Sequence, residues 1–548
     1  MSIRQSSSRA RRELTMSRRR MTAVLLTGLV ALIAAGCGSS ERSGGGGSSA
    51  GGGKSASDTT LNLGYYEDIQ SPDPDIQYDI PGLELVNNTY EGLVHYGYGS
   101  STKIEPWLAT SWTVTNNDKT YTFQLRPGVV FHDGTPFNAA AMKASIERRI
   151  KMKEGTLYQV TDIKSVSAPS QYTLVINLKR TVSAFMDYLA SPYGVKAISP
   201  TAIAKNQVGG DLGKKWLSTH DAGTGPYTIT QFTLGQQYTE IAWSKWWGKA
   251  PFYKTVVYKL VPDTGNQVLQ LQGGSLDILH QQPITTVASF ESKPGFQVKV
   301  FPVFLKTWIH VNPNRPPFSN AEVRKALGQA INRELISKTF FQKYGTVSNN
   351  MYPAGMMPSG VGTDPQPFDQ SKLKAAVAKL SPSERNVNLT YLLGHGVDIQ
   401  RVADAIGSEL RETGLNVTLH EITVAQLFSY PAQNPTKVPD LFVGSENPDS
   451  ASPDTWARSY MYKGAALNYL AGAVPAADAA MDEGLASTSP AQVTTDYGRA
   501  GDLLHAEGTF ITLADGADTF IARAGITGFE HQLECTTCIN LAALKAGK

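Results

Sequence analysis

The alternation of apolar and polar positions over residues 104–150 predicts a β-hairpin followed by a helix. Two runs with a period of two, 112–114 and 121–125, lie on either side of Asn-Asn-Asp-Lys at 116–119. Such runs, separated by residues that tolerate turn dihedrals, are typical of a hairpin with one buried face. Apolar residues then recur at every fourth position behind Asn138, which predicts a helix with Asn138 as its N-cap.

Similar patterns continue along the chain and favour an α/β protein. A helix is predicted over 83–93, and Ser319 and Glu322 predict a capping box at the start of another helix. A strand–helix–strand unit is predicted near 387–419, with its helix over 398–413. Further strands are predicted over 61–65, 172–178, 228–232, 238–243, 256–261 and 510–529.

Composition and charge define the broad class of the protein. At 548 residues, with 41% hydrophobic and 18% charged residues, the chain is typical of a globular protein with more than one lobe. The overall charge of +3 is dominated by residues 1–36, which carry a net +6, so the remainder carries −3. This balance predicts no basic surface for nucleic acid.

The N-terminal region predicts export and anchoring. Residues 16–37 combine three arginines, a short apolar run and Ala-Ala-Gly-Cys, which is similar to a lipobox with Cys37 as the lipidated residue. We therefore expect a signal peptide over 1–36 and a lipidated Gly/Ser tether over 37–58. The export route, general or twin-arginine, stays open, as does a start at Met16.

No sequence motif indicates catalysis or metal binding. The histidines are scattered without a His-x-x-x-His pair, and a Gly-x-Ser-x-Gly match at 47–51 lies in the tether, with no strand before it. Cys535 and Cys538 predict a local disulfide outside the cytoplasm. A c-type haem motif is excluded because Ile539 follows where His is required. We expect no enzyme activity, no metal and no cofactor.

The hairpin region also resembles the signature region of the extracytoplasmic solute-binding proteins of family 5, the peptide- and nickel-binding class of ABC importers. The matching segments are Pro106, Leu108-Ala109, Ser111-Trp112, Tyr121-Thr122-Phe123, Leu125–Val129 and Phe131–Ala139. Gly223–Tyr227 and the stretch Asn312…Pro317-Phe318…Val323-Arg324-x-Ala326-Leu327 are similar to further family motifs.

This resemblance implies a two-lobed periplasmic-binding-protein-like fold of type II, in the large class with an extra subdomain. Lobe I comprises 59–88, 205–305 and 510–548, with an accessory subdomain over 89–204, and lobe II comprises 306–509. Chain crossings between the lobes imply a hinge and a ligand cleft between them.

The resemblance also implies where the ligand lies. Gly444–Trp456 aligns with the family segment whose aspartate holds a peptide's N-terminal amine, which assigns that role to Asp449. Ser445 and Ser450 replace the family's Trp and Tyr, and a solvated loop acid remains an alternative. The segment Tyr78-Asp79-Ile80 is expected to line the cleft and pair with the peptide backbone as an added strand, or else to be a surface loop. The complete set of predicted ligand-binding residues is Tyr78, Asp79, Ile80, Gly444, Ser445, Glu446, Asn447 and Asp449.

The function implied is capture of short peptides by a monomeric lipoprotein outside the membrane and their delivery to the permease and ATPase of an ABC transporter. Haem, a nickel chelate and an oligosaccharide remain alternative ligands. A secreted hydrolase is the alternative from another class.

Overall fold

The computed structural model describes residues 58–99, 102–363, 366–392 and 398–547. The predicted signal peptide, Cys37 and almost all of the tether therefore lie outside the described residues. Within the described ranges, no helix is both long enough and apolar enough to cross a membrane.

The strands range from two to sixteen residues in length. In chain order they are β1 (Thr60–Tyr65), β2 (Val94–Tyr96), β3 (Ile104–Pro106), β4 (Ala109–Thr115), β5 (Thr120–Leu125), β6 (Ile163–Ser170), β7 (Thr173–Leu178), β8 (Tyr227–Thr233), β9 (Gln237–Ala242), β10 (Thr255–Leu260), β11 (Ile278–His280), β12 (Phe296–Val311), β13 (Gly345–Val347), β14 (Asn386–Tyr391), β15 (Asn416–Glu421), β16 (Leu441–Glu446), β17 (Phe510–Arg523), β18 (Ile526–Thr527) and β19 (Lys545–Ala546).

The α-helices lie between these strands, singly or in groups. They are α1 (Ile80–Thr89), α2 (Ala139–Met152), α3 (Phe185–Ala190), α4 (Pro200–Asn206), α5 (Lys214–Leu217), α6 (Thr264–Gly273), α7 (Ile284–Phe290), α8 (Ala321–Leu327), α9 (Arg333–Ile336), α10 (Ser371–Ala378), α11 (Ile399–Arg411), α12 (Val424–Ser429), α13 (Pro453–Met461), α14 (Pro475–Leu485) and α15 (Pro490–Glu507).

One large mixed sheet runs in the order β15-β14-β16-β12-β17-β11-β1-β10-β9-β8, with β13 added to β17. Parallel pairs lie on both sides of its centre, β14 with β15 and β16 on one side and β1 with β10 and β11 on the other, and antiparallel β9 and β8 extend the second side. The long strands β12 and β17 pair with each other in antiparallel fashion at its centre. They therefore connect the two α/β halves, and the ladder has register shifts between Pro302 and Leu305 and between Thr307 and Trp308.

A separate antiparallel sheet, in the order β4-β5-β7-β6, contains the hairpin predicted from the sequence. Asn116, Asn117 and Asp118 all adopt positive φ in its turn, as turn-tolerant residues permit. The Asn138 side chain accepts a hydrogen bond from the Ala141 amide at 3.0 Å and caps α2. The hairpin, the turn and the helix cap are confirmed.

Two local predictions were wrong. The capping side chain of α8 is Asn320, which accepts from the Glu322 amide at 2.9 Å, so Ser319 does not form a capping box. Helix α1 starts at Ile80, earlier than the predicted 83–93, because the Asp79 carboxylate caps it through the Gly82 amide at 2.7 Å. Ile80 is therefore helical and cannot pair with a peptide as part of an added strand.

Apolar side chains form distinct cores on the two sides of the central strands. One core lies between β1, β10 and α1, and another lies between α8, α10, α11 and strands β14 and β16. A third joins the interior of the small sheet to α13, α14 and α15. It includes Tyr188 and Phe185 together with Trp456 and Tyr497. Residues near 185–190 and 453–505 are thus held against each other by buried apolar surface.

Candidate functional site

A cavity of about 170 Å³ lies where α1, α12, α13 and the end of β16 approach one another. All of the ligand-binding residues predicted from the sequence line it: Tyr78, Asp79, Ile80, Gly444, Ser445, Glu446, Asn447 and Asp449. The lining also includes residues that the sequence did not indicate, namely Glu67, Tyr193, Leu392, Ile399, Val424, Leu427, Phe428, Phe442, Val443, Tyr460, Leu467 and Tyr469. The two segments predicted to lie in a cleft are thus brought together, although Ile80 and Gly444 are 364 positions apart in the chain.

Asp449 is the buried carboxylate of this cavity, with only 5% of its surface exposed. The Tyr158 hydroxyl donates to its Oδ2 atom at 2.6 Å, and the Tyr78 hydroxyl lies 3.1 Å from Oδ2 and 3.2 Å from Oδ1. No Lys or Arg of the described residues forms an ion pair with it. Burial raises the pKa of Asp449 to about 6, and the two tyrosine hydroxyls partly counter that rise.

The backbone around Asp449 is held by residues of the small-sheet region. The Ser191 hydroxyl donates to the Asp449 carbonyl oxygen, and the Ala451 amide donates to the Tyr96 hydroxyl at 3.1 Å. Ser452 then caps α13. The position of the carboxylate is therefore set by partners that lie more than 250 residues away in sequence.

On the opposite wall, the start of α1 positions Tyr78 and Asp79. The Tyr78 ring contacts the Tyr193 ring edge-on, with centroids 5.2 Å apart. Asp79 caps the helix, and burial raises its pKa to about 6 while the Gly82 amide counters that rise. Asp79 thus lines the cavity and also has a structural role as the cap of α1.

Glu446 is the second carboxylate near Asp449. Its Oε2 atom accepts from the Trp308 indole, and His310 Nε2 lies 3.1 Å from the same atom. Because β12 and β16 are paired in register at Trp308 and Gly444, the ring and the carboxylate lie on one face of the sheet. Gly444 leaves room for the Phe442 ring, which would lie 2.8 Å from a Cβ atom at that position.

Ser445 and Asn447 are used mainly within the protein. The Thr307 hydroxyl donates to Ser445 Oγ at 3.0 Å. The Thr536 hydroxyl donates to Asn447 Oδ1 at 3.3 Å, and the Tyr460 hydroxyl donates to the Asn447 carbonyl at 3.1 Å. These contacts fix the loop that carries Asp449.

Aromatic rings close the remaining walls. Tyr469 contacts Phe442 at a centroid distance of 5.5 Å and Phe428 at 6.1 Å. Tyr460 packs on Trp456, 4.7 Å between centroids. These rings come from β16, α12, α13 and the loop after α13, and no alternating or helical pattern in the sequence would have placed them around one cavity.

Cys535 and Cys538 are joined by a disulfide. They are buried with Leu83 and Tyr193, and the Tyr78 ring packs against this group. The disulfide therefore lies directly behind one wall of the cavity, which its position near the chain end did not suggest.

The described residues contain no cluster of three or more His, Cys, Asp or Glu side chains arranged to hold a metal ion. The described lining of the cavity also includes no His or Cys. The polar groups of the cavity are mainly carboxylates and tyrosine hydroxyls. Both accept hydrogen bonds from a cationic group, and the tyrosine rings can stack against one.

Comparison with known proteins agrees with this architecture. The chain is 26% identical over 461 residues to the probable D,D-dipeptide-binding periplasmic protein DdpA of Escherichia coli, covering 83% of this chain and 88% of that relative. The fold is similar to that of DppA from Helicobacter pylori, solved with the peptide STSA, with a TM-score of 0.78, 19% identity and coverage of 89% and 98%. It is also similar to NikA from Brucella suis, solved with Fe(III)-EDTA, with a TM-score of 0.79, 20% identity and coverage of 89% and 100%.

The two structures establish the two-lobed α/β fold predicted above. The sequence profile of the bacterial extracellular solute-binding proteins, family 5, middle region, matches residues 103–468, which is more than half of the chain. The chain therefore belongs to family 5 of the bacterial extracellular solute-binding proteins.

Proposed function

We propose that this protein captures short peptides outside the membrane through their N-terminal amine and delivers them to the permease and ATPase of an ABC importer. The observation that carries the proposal is Asp449, a buried carboxylate in a cavity that has tyrosine partners but no cation from the described residues. A buried carboxylate without a cation is costly, and an ammonium group from a ligand would relieve that cost.

The comparisons support a peptide as the ligand. The E. coli relative is named as a dipeptide-binding protein, and the match covers most of both chains. A nickel chelate is less well matched to the described lining, which supplies no imidazole or thiolate. Haem and an oligosaccharide remain alternatives that the same ligand experiment distinguishes.

The first experiment identifies what the protein carries. Protein purified under native conditions and analysed by native mass spectrometry should hold a mixture of peptides of about two to six residues, since backbone and amine recognition leaves side chains weakly specified. A single discrete non-peptide mass would contradict the peptide assignment.

The second experiment tests Asp449 directly by calorimetry. Asp449→Asn should weaken peptide binding by about 1–3 kcal/mol, the scale of a lost charged hydrogen bond. Asp404, an exposed residue of α11, offers a matched control, because Asp404→Asn removes the same charge at a position outside the cavity lining. N-acetylation of the peptide should reduce affinity for the wild-type protein by a similar amount, and indifference to both changes would refute the proposal.

The proposal makes the protein a binder and not an enzyme. Incubation with the peptides that bind should return them intact, as analysed by mass spectrometry. Turnover of peptide that is lost in the Asp449→Asn variant would favour the alternative of a secreted hydrolase.

We further propose that Cys37 is lipidated and anchors a monomer to the cell membrane by the tether. Acylation with more than one chain gives a stable anchor, whereas one chain is marginal. Cys37→Ala should release the protein to the soluble fraction, and a matched Ser49→Ala change in the tether should not. Membrane retention of the Cys37→Ala protein would exclude the lipid anchor.

A further inference from the structure

The cavity carries acidic side chains from separate parts of the fold and, among the described residues, no basic side chain lines it. Glu67 and Asp79 contribute to one wall, and Glu446 and Asp449 contribute to the other. Since peptides carry a carboxylate as well as an amine, this one-sided charge bears on which ligands the cavity accepts.

Among the described residues, no lysine or arginine forms an ion pair with Asp449, Glu446 or Asp79. The Asp449 carboxylate has tyrosine hydroxyls, and Glu446 has the Trp308 indole and His310 imidazole. Asp79 accepts from the Gly82 amide. The negative potential at Asp449 and Asp79 is therefore left for a ligand to satisfy, whereas Glu446 has the His310 ring beside it.

The acids are close enough to act on one bound molecule. Tyr78 brings the two aspartates together, because its hydroxyl lies 3.1 Å from Asp449 Oδ2 and Asp79 is the next residue along the chain. The Tyr78 ring contacts Tyr193, and the Tyr460 and Tyr469 rings complete the wall near Glu446. Aromatic faces attract cations and disfavour anions, which adds to the effect of the carboxylates.

A carboxylate bound here would be desolvated near several like charges and would meet no guanidinium or ammonium from the described lining. Removing an anion from water without a partner is strongly unfavourable. A zwitterionic peptide would gain binding free energy at its amine and lose binding free energy at its C-terminal carboxylate. A ligand that has the amine and lacks the carboxylate would keep the favourable contribution of the amine without the unfavourable contribution of the carboxylate.

Building on the proposed function, we propose that this cavity selects cationic ligands: amines with an apolar or aromatic body and no free carboxylate near the amine, including peptides whose C-terminus is amidated. The amine is placed at Asp449 and Glu446, and the body is placed against Tyr193, Tyr469 and the apolar surface of Leu427 and Phe428.

The test compares matched ligands by isothermal titration calorimetry on the ligand-stripped protein. The first set is alanyl-phenylalanine as the free acid, its C-terminal amide and the N-acetylated amide. The amide should bind at least about tenfold more tightly than the free acid, the effect of removing one like charge from a partly desolvated site. The N-acetylated amide should bind at least about tenfold more weakly than the amide.

The second set removes the peptide altogether. Phenethylamine should bind and phenylpropionate should not, which tests the charge preference even if no dipeptide binds. Glu67→Gln should reduce the advantage of the amide over the free acid, because it removes one cavity charge. Glu421→Gln removes an exposed charge of β15 outside the lining and should leave that advantage unchanged.

The outcomes separate the two proposals. If the free acid binds as tightly as the amide, and both need a free amine, cation selection is wrong and amine capture stands. If N-acetylation has no effect, amine capture is wrong, and cation selection falls with it unless phenethylamine still binds in preference to phenylpropionate. Binding of phenylpropionate equal to that of phenethylamine overturns the inference whatever the peptides do.

Discussion

Lowering the pH should weaken ligand binding through Asp449. Burial raises the pKa of this carboxyl to about 6, and the Tyr158 and Tyr78 hydroxyls, which stabilise the charged form, only partly counter the rise. A ligand ammonium gains its favourable contact only when Asp449 is ionised. The ligand amine itself stays protonated below its usual pKa of about 8. The pH dependence between 5 and 7 should therefore follow the carboxyl.

The size of the effect follows from the pKa. With a pKa of about 6, roughly nine in ten Asp449 side chains are ionised at pH 7 and about one in ten at pH 5. If only the ionised form binds, the affinity should fall about tenfold across this range, or about 1.4 kcal/mol. Asp79 has a pKa of about 6 as well, so its titration has to be separated from that of Asp449.

Isothermal titration calorimetry at pH 5, 6, 7 and 8 with alanyl-phenylalanine amide measures the profile. Repeating each titration in two buffers of different ionisation enthalpy measures proton exchange. Proton release should approach about one proton at pH 5 and fall close to zero at pH 7, and at pH 8 binding should take up protons because about half of the free ligand amine is neutral there. Tyr158→Phe removes one hydroxyl that stabilises the carboxylate and should move the midpoint to higher pH. In Asp449→Asn both the profile and the proton release should flatten. A wild-type affinity that is constant from pH 5 to 7 would refute the reasoning, and an unchanged profile in the Asp449→Asn variant would assign the effect to Asp79 or another group.

Three further predictions concern stability and the cavity wall. Arg148→Met should lower the free energy of unfolding by about 3–5 kcal/mol in denaturant titrations, because Asp73 and Asp75 would be left buried without this cation. As a control, Arg180→Met removes the cation of an exposed pair with Asp162 and should lower the free energy of unfolding by less than about 1 kcal/mol. Equal losses of unfolding free energy in the two variants would contradict the expectation that the buried ion pair contributes more than the exposed one. Glu534→Gln should raise the melting temperature at pH 8 and leave it unchanged at pH 4. Burial raises the pKa of Glu534 well above its ordinary value, so this residue lowers stability only as the pH rises above the unfolded pKa of about 4.3. A stabilisation that is the same at both pH values would contradict this. Replacing Cys535 and Cys538 together by Ser should lower the melting temperature and weaken peptide-amide binding several-fold, because the disulfide packs behind Tyr78 and Tyr193. Unchanged affinity with a lower melting temperature would limit the disulfide to a role in stability.

Local pattern was enough to predict much of the secondary structure. The hairpin formed by β4 and β5, the cap of α2 and the strand–helix–strand unit of β14, α11 and β15 all follow from side-chain periodicity and from capping residues. The start of α1 was missed because Asp79 and Pro81 form a helix N-terminus that resembles an extended, proline-containing loop in the sequence. The capping residue of α8 was misassigned by one position for a related reason: Ser319 and Asn320 are both good caps, and only the backbone geometry distinguishes them.

The sequence by itself determined the family and the α/β elements, and through the family resemblance it pointed to Asp449 and Tyr78 as residues of one ligand cleft. Only the tertiary structure decided that Tyr158 and Tyr78 share the Asp449 carboxylate, that the Cys535–Cys538 disulfide supports Tyr78, and that acids from distant segments face one aromatic cavity. The physical reason is the distance along the chain over which the relevant interactions act. Periodicity and caps reflect interactions within a few residues along the chain, whereas the charge, burial and pKa of a site depend on groups that are brought together by packing across hundreds of residues.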